Sequence, residues 1–215
     1  MAGRLASVAG RRIGQAFAIC LAIASTSVPA GTPDKSEATT RLKHQRELVA
    51  RTAQVVEEAR VAHIVQRYGK PEEQVRRLVR TTERVATRHS LKPELLLAII
   101  ETESSFNPAA RSGYGARGLM QVVPRFHPKV VAEVGGPHRL DEPEANLEAG
   151  ARILTYYVER SGNLHKALTR YSGGATSYAT KVVKRQRELE RIAMIATRQL
   201  DATRVSALLT GSNPG

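Results

Sequence analysis

The sequence contains no tryptophan, one cysteine and few aromatic residues, 4% in all. The lone cysteine, Cys20, falls in an N-terminal stretch that reads as a removable leader, so the mature chain is expected to have no disulfide and no thiol chemistry. Long hydrophobic runs are missing too. The apolar stretch from about Ile13 to Val28 is interrupted by Gln15 and is short for a bilayer span, which needs about twenty residues. There is no sustained alternation of apolar and polar residues and no internal repeat, which argues against β-sandwiches, barrels and solenoids. A concentrated basic patch is also lacking where a nucleic-acid domain would need one. The net charge is +13, yet residues 86–180 carry 11 Lys and Arg against 9 Asp and Glu, so the excess lies in the flanks and no nucleic-acid partner is expected. His89, His127, His138 and His165 are scattered, with no Cys/His ligand spacing, so neither a metal nor a cofactor is expected.

What is present reads from the N-terminus as a secretory leader. Arg4, Arg11 and Arg12 precede the apolar run, and "SVPA" closes it with small residues, predicting cleavage after Ala30 and a periplasmic protein with no stable membrane span after processing. Residues 31–70 read as a polar linker, "GTPDKSEATT", followed by an accessory helix from Arg41 to Tyr68. Gly69 ends that helix and Pro71-Glu72-Glu73 starts the next, which runs to about His89. Pro93 opens "PELLLAIIETE". Short helical pieces follow around Leu119, Val130 and 146–159, then "KALTRYS" and a last helix from Tyr178 to Leu209. The fold class is mostly α, with a main helical domain at 71–185 and a C-terminal helix and tail at 186–215.

The stretch "ETESSFNPAARSGYGARGLMQ", Glu101 to Gln121, carries the chemistry. On a helical wheel Leu95, Leu96, Ile99 and Ile100 form an apolar stripe, and Glu103 falls within about 20° of its centre line. Glu101 falls on the opposite side with Glu94, predicting that it faces solvent. A carboxyl group on an apolar face at a helix C-terminus should have a raised pKa, because burial and the helix dipole both favour its neutral form. That is the state a general acid needs. The other reading makes Glu103 a structural acid neutralised by Arg111 or Arg117. The next segment favours the first reading. Gly113, Gly115 and Gly118 let the backbone approach a ligand closely, Leu119 and Met120 can anchor the loop, and Gln121 offers an amide. An acid beneath a glycine-rich loop suits a polar polymer such as a sugar chain.

The same stretch, extended to "AIIETESSFNPAARSGYGARGLMQVVP", resembles the signature of the soluble-type lytic transglycosylases, the SLT family, relatives of goose-type lysozyme. "NLEAGARIL" is similar to that family's Asn-x-x-x-Gly helix, "ALTRYSGG" to its Ala-Tyr-Asn-Ala-Gly block and "YATKVVKR" to its closing Tyr-x-x-Lys-Val helix. Four ordered motifs across residues 75–185 make a specific match. The resemblance implies an α+β lysozyme-like fold with a loop-rich substrate cleft, flanked by accessory helices that would be free to engage a cell-envelope assembly. It implies that peptidoglycan glycan strands are the substrate and that the N-acetylmuramic acid–N-acetylglucosamine bond is cleaved without water to give 1,6-anhydromuramic ends. By the same resemblance Glu103 is the single catalytic acid and base, while Ser112, Gln121 and Tyr171 line the cleft and hold the sugar and the carboxylate. Asn107-Pro108 and Gly118 would shape the loop. One position departs: Ser172 stands where the family has Asn, with shorter reach and fewer hydrogen-bonding groups.

Two alternatives remain from the residues alone. A hydrolytic lysozyme-type muramidase would need a second carboxylate to activate water, for which Asp141, Glu142, Glu144 and Glu148 are candidates. A non-catalytic cell-wall binding protein would tolerate the change at Ser172, but retention of Glu103, Gln121 and Tyr171 together argues against it.

Overall fold

A computed structural model describes residues 35–210; the leader and its cleavage site lie outside the described residues. Of residues 1–40, which form a unit separate from residues 41–215, only the opening turns of helix α1 are described. The helices are α1 (Lys35–Tyr68), α2 (Glu72–Arg88), α3 (Pro93–Ser104), α4 (Pro128–Glu133), α5 (Pro143–Ser161), α6 (Leu164–Tyr171) and α7 (Thr176–Thr210). Short 3₁₀ turns at Pro124–Phe126 and Pro137–Asp141 connect them. The protein is mostly α. Among the described residues, β-structure is confined to isolated antiparallel bridges that pair Arg117 with Arg111 and with Val122.

Helix α3 is the hub. It begins at Pro93, whose fixed φ suits the first helical position, and every residue from Leu95 to Glu101 is buried. A helix that is apolar all round needs packing on all sides, and α2, α7 and the end of α1 provide it. The apolar stripe read from the wheel is buried as expected, and Leu97 and Ala98 are buried as well. The expectation that Glu101 faces solvent is overturned: it is 3% exposed. The wheel assumes a helix with one wet side, whereas Tyr68 from α1 and Arg185 from α7 close over that side. Glu94, placed on the same side, is paired with Arg60.

Both flanks differ from their expected form. The polar linker is expected to reach Thr40, but α1 begins at Lys35, because "KSEATT" joins the helical run that follows. The last turns of α1 are not an appendage: Val61 and Ile64 belong to the core, and Arg60 bridges Glu83 and Glu94. Burying two such apolar side chains stabilises by about 1.5–3 kcal/mol each. Helix α7 runs unbroken through residues 185 and 186, and Leu189 and Ala196 beyond that point are buried. No described helix is long and apolar enough to cross a membrane.

Candidate active site

The α3 C-terminus is where the chain changes direction. Ser105 caps the helix in the left-handed region at φ 49°, and Phe106 follows at φ 61°. Two successive non-glycine residues in that region cost on the order of 1–3 kcal/mol each and persist only where packing holds them. Phe106 is 2% exposed, with its ring 5.1 Å from that of Tyr68. The following loop is fastened from beneath. Asn146 on α5 is fully buried; its Oδ1 accepts from Met120 N–H at 2.8 Å, and its amide nitrogen donates to the carbonyls of Arg117 and Leu140. Gly118 passes so close that a Cβ there would overlap the Asn146 side chain and the Leu140 carbonyl. Leu119 and Met120 are buried anchors, as the sequence suggests, and Ser104 Oγ donates to the Leu119 carbonyl at 2.8 Å.

Above this support opens a cleft of about 550 Å³ that brings together Glu103, Ser112, Gln121 and Tyr171, with Tyr114 and Phe126 exposed beside them. Glu103 reaches it from the last turn of α3. Burial raises its pKa above the ordinary glutamate value; a hydrogen bond from Tyr178 and the charge of Lys181 oppose that shift without cancelling it. Its hydrogen-bond partner is a neutral hydroxyl: Tyr178 Oη donates to Glu103 Oε1 at 2.6 Å. Neither arginine considered as a neutralising partner fills that role. Arg111 pairs with Asp141 at 2.7 Å, and Arg117 donates to the Pro137 carbonyl at 2.8 Å. Among the described residues the acid is therefore desolvated but not ion-paired, which favours its neutral, proton-carrying form relative to an ordinary glutamate.

The other expected site residues sit at the cleft in different ways. Ser112 Oγ accepts from Ala116 N–H at 3.1 Å and steadies the loop. Gln121, at φ 48°, turns its amide nitrogen to the carbonyls of Ala110 and Gly118. Tyr171 donates to the Met120 carbonyl at 2.9 Å, and burial pushes its hydroxyl pKa well up. Its ring stacks at 6.5 Å on that of Tyr178. Of the two tyrosines, it is Tyr178 whose hydroxyl reaches the carboxylate, whereas the resemblance implies that Ser112, Gln121 and Tyr171 together hold the sugar and that carboxylate. In the sequence Tyr178 is visible only as the opening residue of "YATKVVKR", and Lys181 lies one turn further along that helix. Ser172 lines the cleft but spends its hydroxyl on the loop, donating to Thr169 O at 2.9 Å and accepting from Ala175 N–H. His127 also lines the cleft, and burial lowers its pKa toward the neutral imidazole.

The carboxylates considered for a water-activating role are engaged elsewhere. Asp141 pairs with Arg111, Glu142 with Arg139, and Glu144 and Glu148 with Arg88. Among the described residues Glu103 is the one carboxylate lining the cleft.

The family model described as Transglycosylase SLT domain matches residues 80–194. A transglycosylase of Enterobacteria phage PRD1 is 34% identical over 108 residues, covering 46% of this chain and 39% of that protein. The membrane-bound lytic murein transglycosylase C of Yersinia pestis (strain Pestoides F) is 40% identical over 106 residues, 43% of this chain and 30% of that one. Its counterpart in Serratia proteamaculans is 30% identical over 146 residues, 61% and 36% of the two chains. This chain thus spans about a third of the length of these curated relatives. Among solved structures, an inactive mutant of the lytic transglycosylase Slt from Pseudomonas aeruginosa aligns with TM-score 0.40 and 24% identity, over 57% of this chain and 24% of that one. With a family model matched across more than half its length, from α2 through the first part of α7, the chain belongs to the transglycosylase SLT domain family.

Proposed function

We propose that the protein is a peptidoglycan lytic transglycosylase in which Glu103 acts first as acid and then as base. The observation that carries this reading is a single desolvated carboxyl, held by a neutral tyrosine, in a cleft whose described lining contains no second carboxylate. Protonated Glu103 delivers its proton to the oxygen of the N-acetylmuramic acid–N-acetylglucosamine bond as that bond breaks. The acetamido group of the muramic acid stabilises the positive charge developing at C1. Glu103, now a carboxylate, takes the proton of the muramic C6 hydroxyl while that oxygen bonds to C1. The enzyme recovers its proton, and no water is consumed. Ordinary glycosidases divide these duties between two carboxylates; here one group in a dry setting serves both steps. Ser112, Gln121 and Tyr171 contribute the polar and aromatic walls that orient the sugar.

Export after cleavage at Ala30 would put this activity in the periplasm, and the names of the relatives, membrane-bound murein transglycosylases, support an envelope setting. The catalytic motifs are assigned to residues 71–185, supported by the last turns of α1 and the buried positions of α7 beyond residue 185. The remaining turns of both helices are offered to the rest of the envelope machinery.

Digestion of purified sacculi followed by mass spectrometry of the products tests the reaction. The expected ends are 1,6-anhydromuramic, lighter by one water than reducing ends. Reducing ends in their place would assign a hydrolytic muramidase to the same acid.

A further inference from the structure

Next to the cleft, and sharing Arg170 and Gly173 with it, lies an open groove of about 650 Å³ between the end of α5, the outer face of α6 and the Gly173-Gly174 turn. Three cations line it, Arg160, Lys166 and Arg170, with no acidic side chain among the lining residues. None of the three forms an ion pair among the described residues. Arg160 lies over the Tyr156 ring at 5.6 Å, a contact that leaves its charge unneutralised. This is not the habit of the surrounding region, where Arg111, Arg139 and Arg152 each reach a carboxylate at 2.6–2.9 Å.

Helix electrostatics explain only part of the cluster. Arg160 and Arg170 lie in the last turns of α5 and α6, where a cation is stabilised by about 0.3–1 kcal/mol. Lys166 lies in the first turn of α6, at the positive end of the dipole, where a cation is disfavoured. Lys166 and Arg170 are four residues apart and share one face of the helix, so their like charges also repel. The arrangement lacks a negative charge. The floor is open as well, since a Cβ at Gly173 or Gly174 would meet nothing within 4 Å.

We propose that this groove binds the carboxylates of the stem peptide that each muramic acid carries on its lactyl ether. The inference rests on the reading that the glycan in the cleft is peptidoglycan. Because Arg170 and Gly173 line both cleft and groove, a substituent leaving the sugar on that side is directed toward the groove's cations. There Arg160 and Arg170 offer forked donors suited to carboxylates, and Lys166 adds a third charge. The groove thereby favours peptide-bearing strands over stripped ones and fixes which bond faces Glu103.

The test uses the full mature chain and two substrates, glycan strands with their peptides and the same strands stripped by an amidase. Wild type is expected to cut peptide-bearing strands about tenfold faster at limiting substrate, the equivalent of about 1.4 kcal/mol. The double charge reversal Arg160→Glu/Lys166→Glu removes that preference and leaves the rate on stripped strands and the melting temperature unchanged, since both residues are exposed and outside the catalytic cleft. Independently of turnover, an isolated acidic stem peptide titrated into labelled protein shifts the backbone amides of residues 160, 166 and 170 in wild type and not in the double variant. If the wild type cuts neither strand but the peptide still shifts those amides, the proposed activity fails and the groove stands. Equal rates on both strands with no such shifts would overturn it. So would polyphosphate moving the same amides as strongly as the peptide with no preference between strands, which would mark a non-specific basic surface.

Discussion

Glu101 and Glu103 stand two residues apart on one helix and occupy opposite environments. Glu101 is buried and its Oε1 meets three partners: Tyr68 Oη donates to it at 2.6 Å, Arg185 Nε lies at 3.1 Å and Arg67 Nε at 3.5 Å. Arg185 also donates to Thr102 Oγ1 at 2.7 Å, so α7 grips two consecutive residues at the end of α3. Glu103 faces the cleft with a tyrosine hydroxyl as its hydrogen-bond partner. Both groups have lost water. Only one has received compensating positive charge in contact with it. The difference separates a structural carboxylate from a reactive one, and desolvation alone does not distinguish them. A buried acid in contact with cations is occupied by its ion pairs, whereas a buried acid held by a neutral donor remains open to the chemistry of the cleft.

Substituting the two acids in parallel is the most direct way to break this comparison. Glu103→Gln keeps the shape of the side chain and loses the proton, so turnover of sacculi should fall by about 10²–10⁴-fold or more with the fold intact. Retained activity in that variant would remove Glu103 from the chemistry. Glu101→Gln should do the reverse. Without the carboxylate charge, Arg185 is left three-quarters buried beside a neutral amide, and the folded state should lose about 2 kcal/mol, read by denaturant or thermal unfolding. Its activity per folded molecule should stay within a few fold of wild type at low temperature. An unchanged melting temperature would show that the Glu101 pairs contribute nothing.

Two smaller effects sharpen the contrast. Tyr178→Phe deletes the donor that lowers the Glu103 pKa against burial, so that pKa should rise further. The pH–rate profile should keep its acid form to higher pH, with its descending limb displaced upward and the rate changed by no more than about tenfold. A limb that stays in place, or moves down, would mean that Tyr178 does not tune the acid.

The smallest effect is on stability. The folded-state pKa of Glu103 lies above its unfolded value, so wild type loses stability as pH rises from the unfolded value through the folded one. Glu103→Gln does not titrate and escapes that loss. Its melting temperature should exceed that of wild type by a few degrees at neutral pH, and the two should converge below the ordinary glutamate range. A variant that melts lower at neutral pH would contradict the direction of the shift.

Much of this site is legible in the residues. Period-3.6 patterning locates α2, α3 and the 146–159 helix, and proline and glycine punctuation marks their starts and stops. The apolar stripe of α3 singles out Glu103, and "GLMQ" identifies the anchored end of the loop. Asn146 is visible as part of a motif, but not its three hydrogen bonds to the loop backbone and the Leu140 carbonyl. Those depend on α5 passing beneath residues as many as 29 positions earlier.

By itself the sequence determined most of the helices, and that Glu103 lies on the apolar stripe of α3 with a glycine-rich loop after it, because periodicity and backbone propensity are local properties. It did not determine the start of α1 at Lys35, nor the turn that stands around Leu119 in place of an expected helical piece. Tertiary structure alone decided the fate of Glu101, the donor to Glu103 and the gathering of Arg160, Lys166 and Arg170 around one groove. Each of these depends on side chains from separate helices: Tyr68 and Arg185 lie 33 and 84 positions from Glu101, and Tyr178 lies 75 from Glu103. A wheel drawn for one helix shows which side is apolar, but whether the other side meets water or a neighbour's guanidinium is set by how the helices pack.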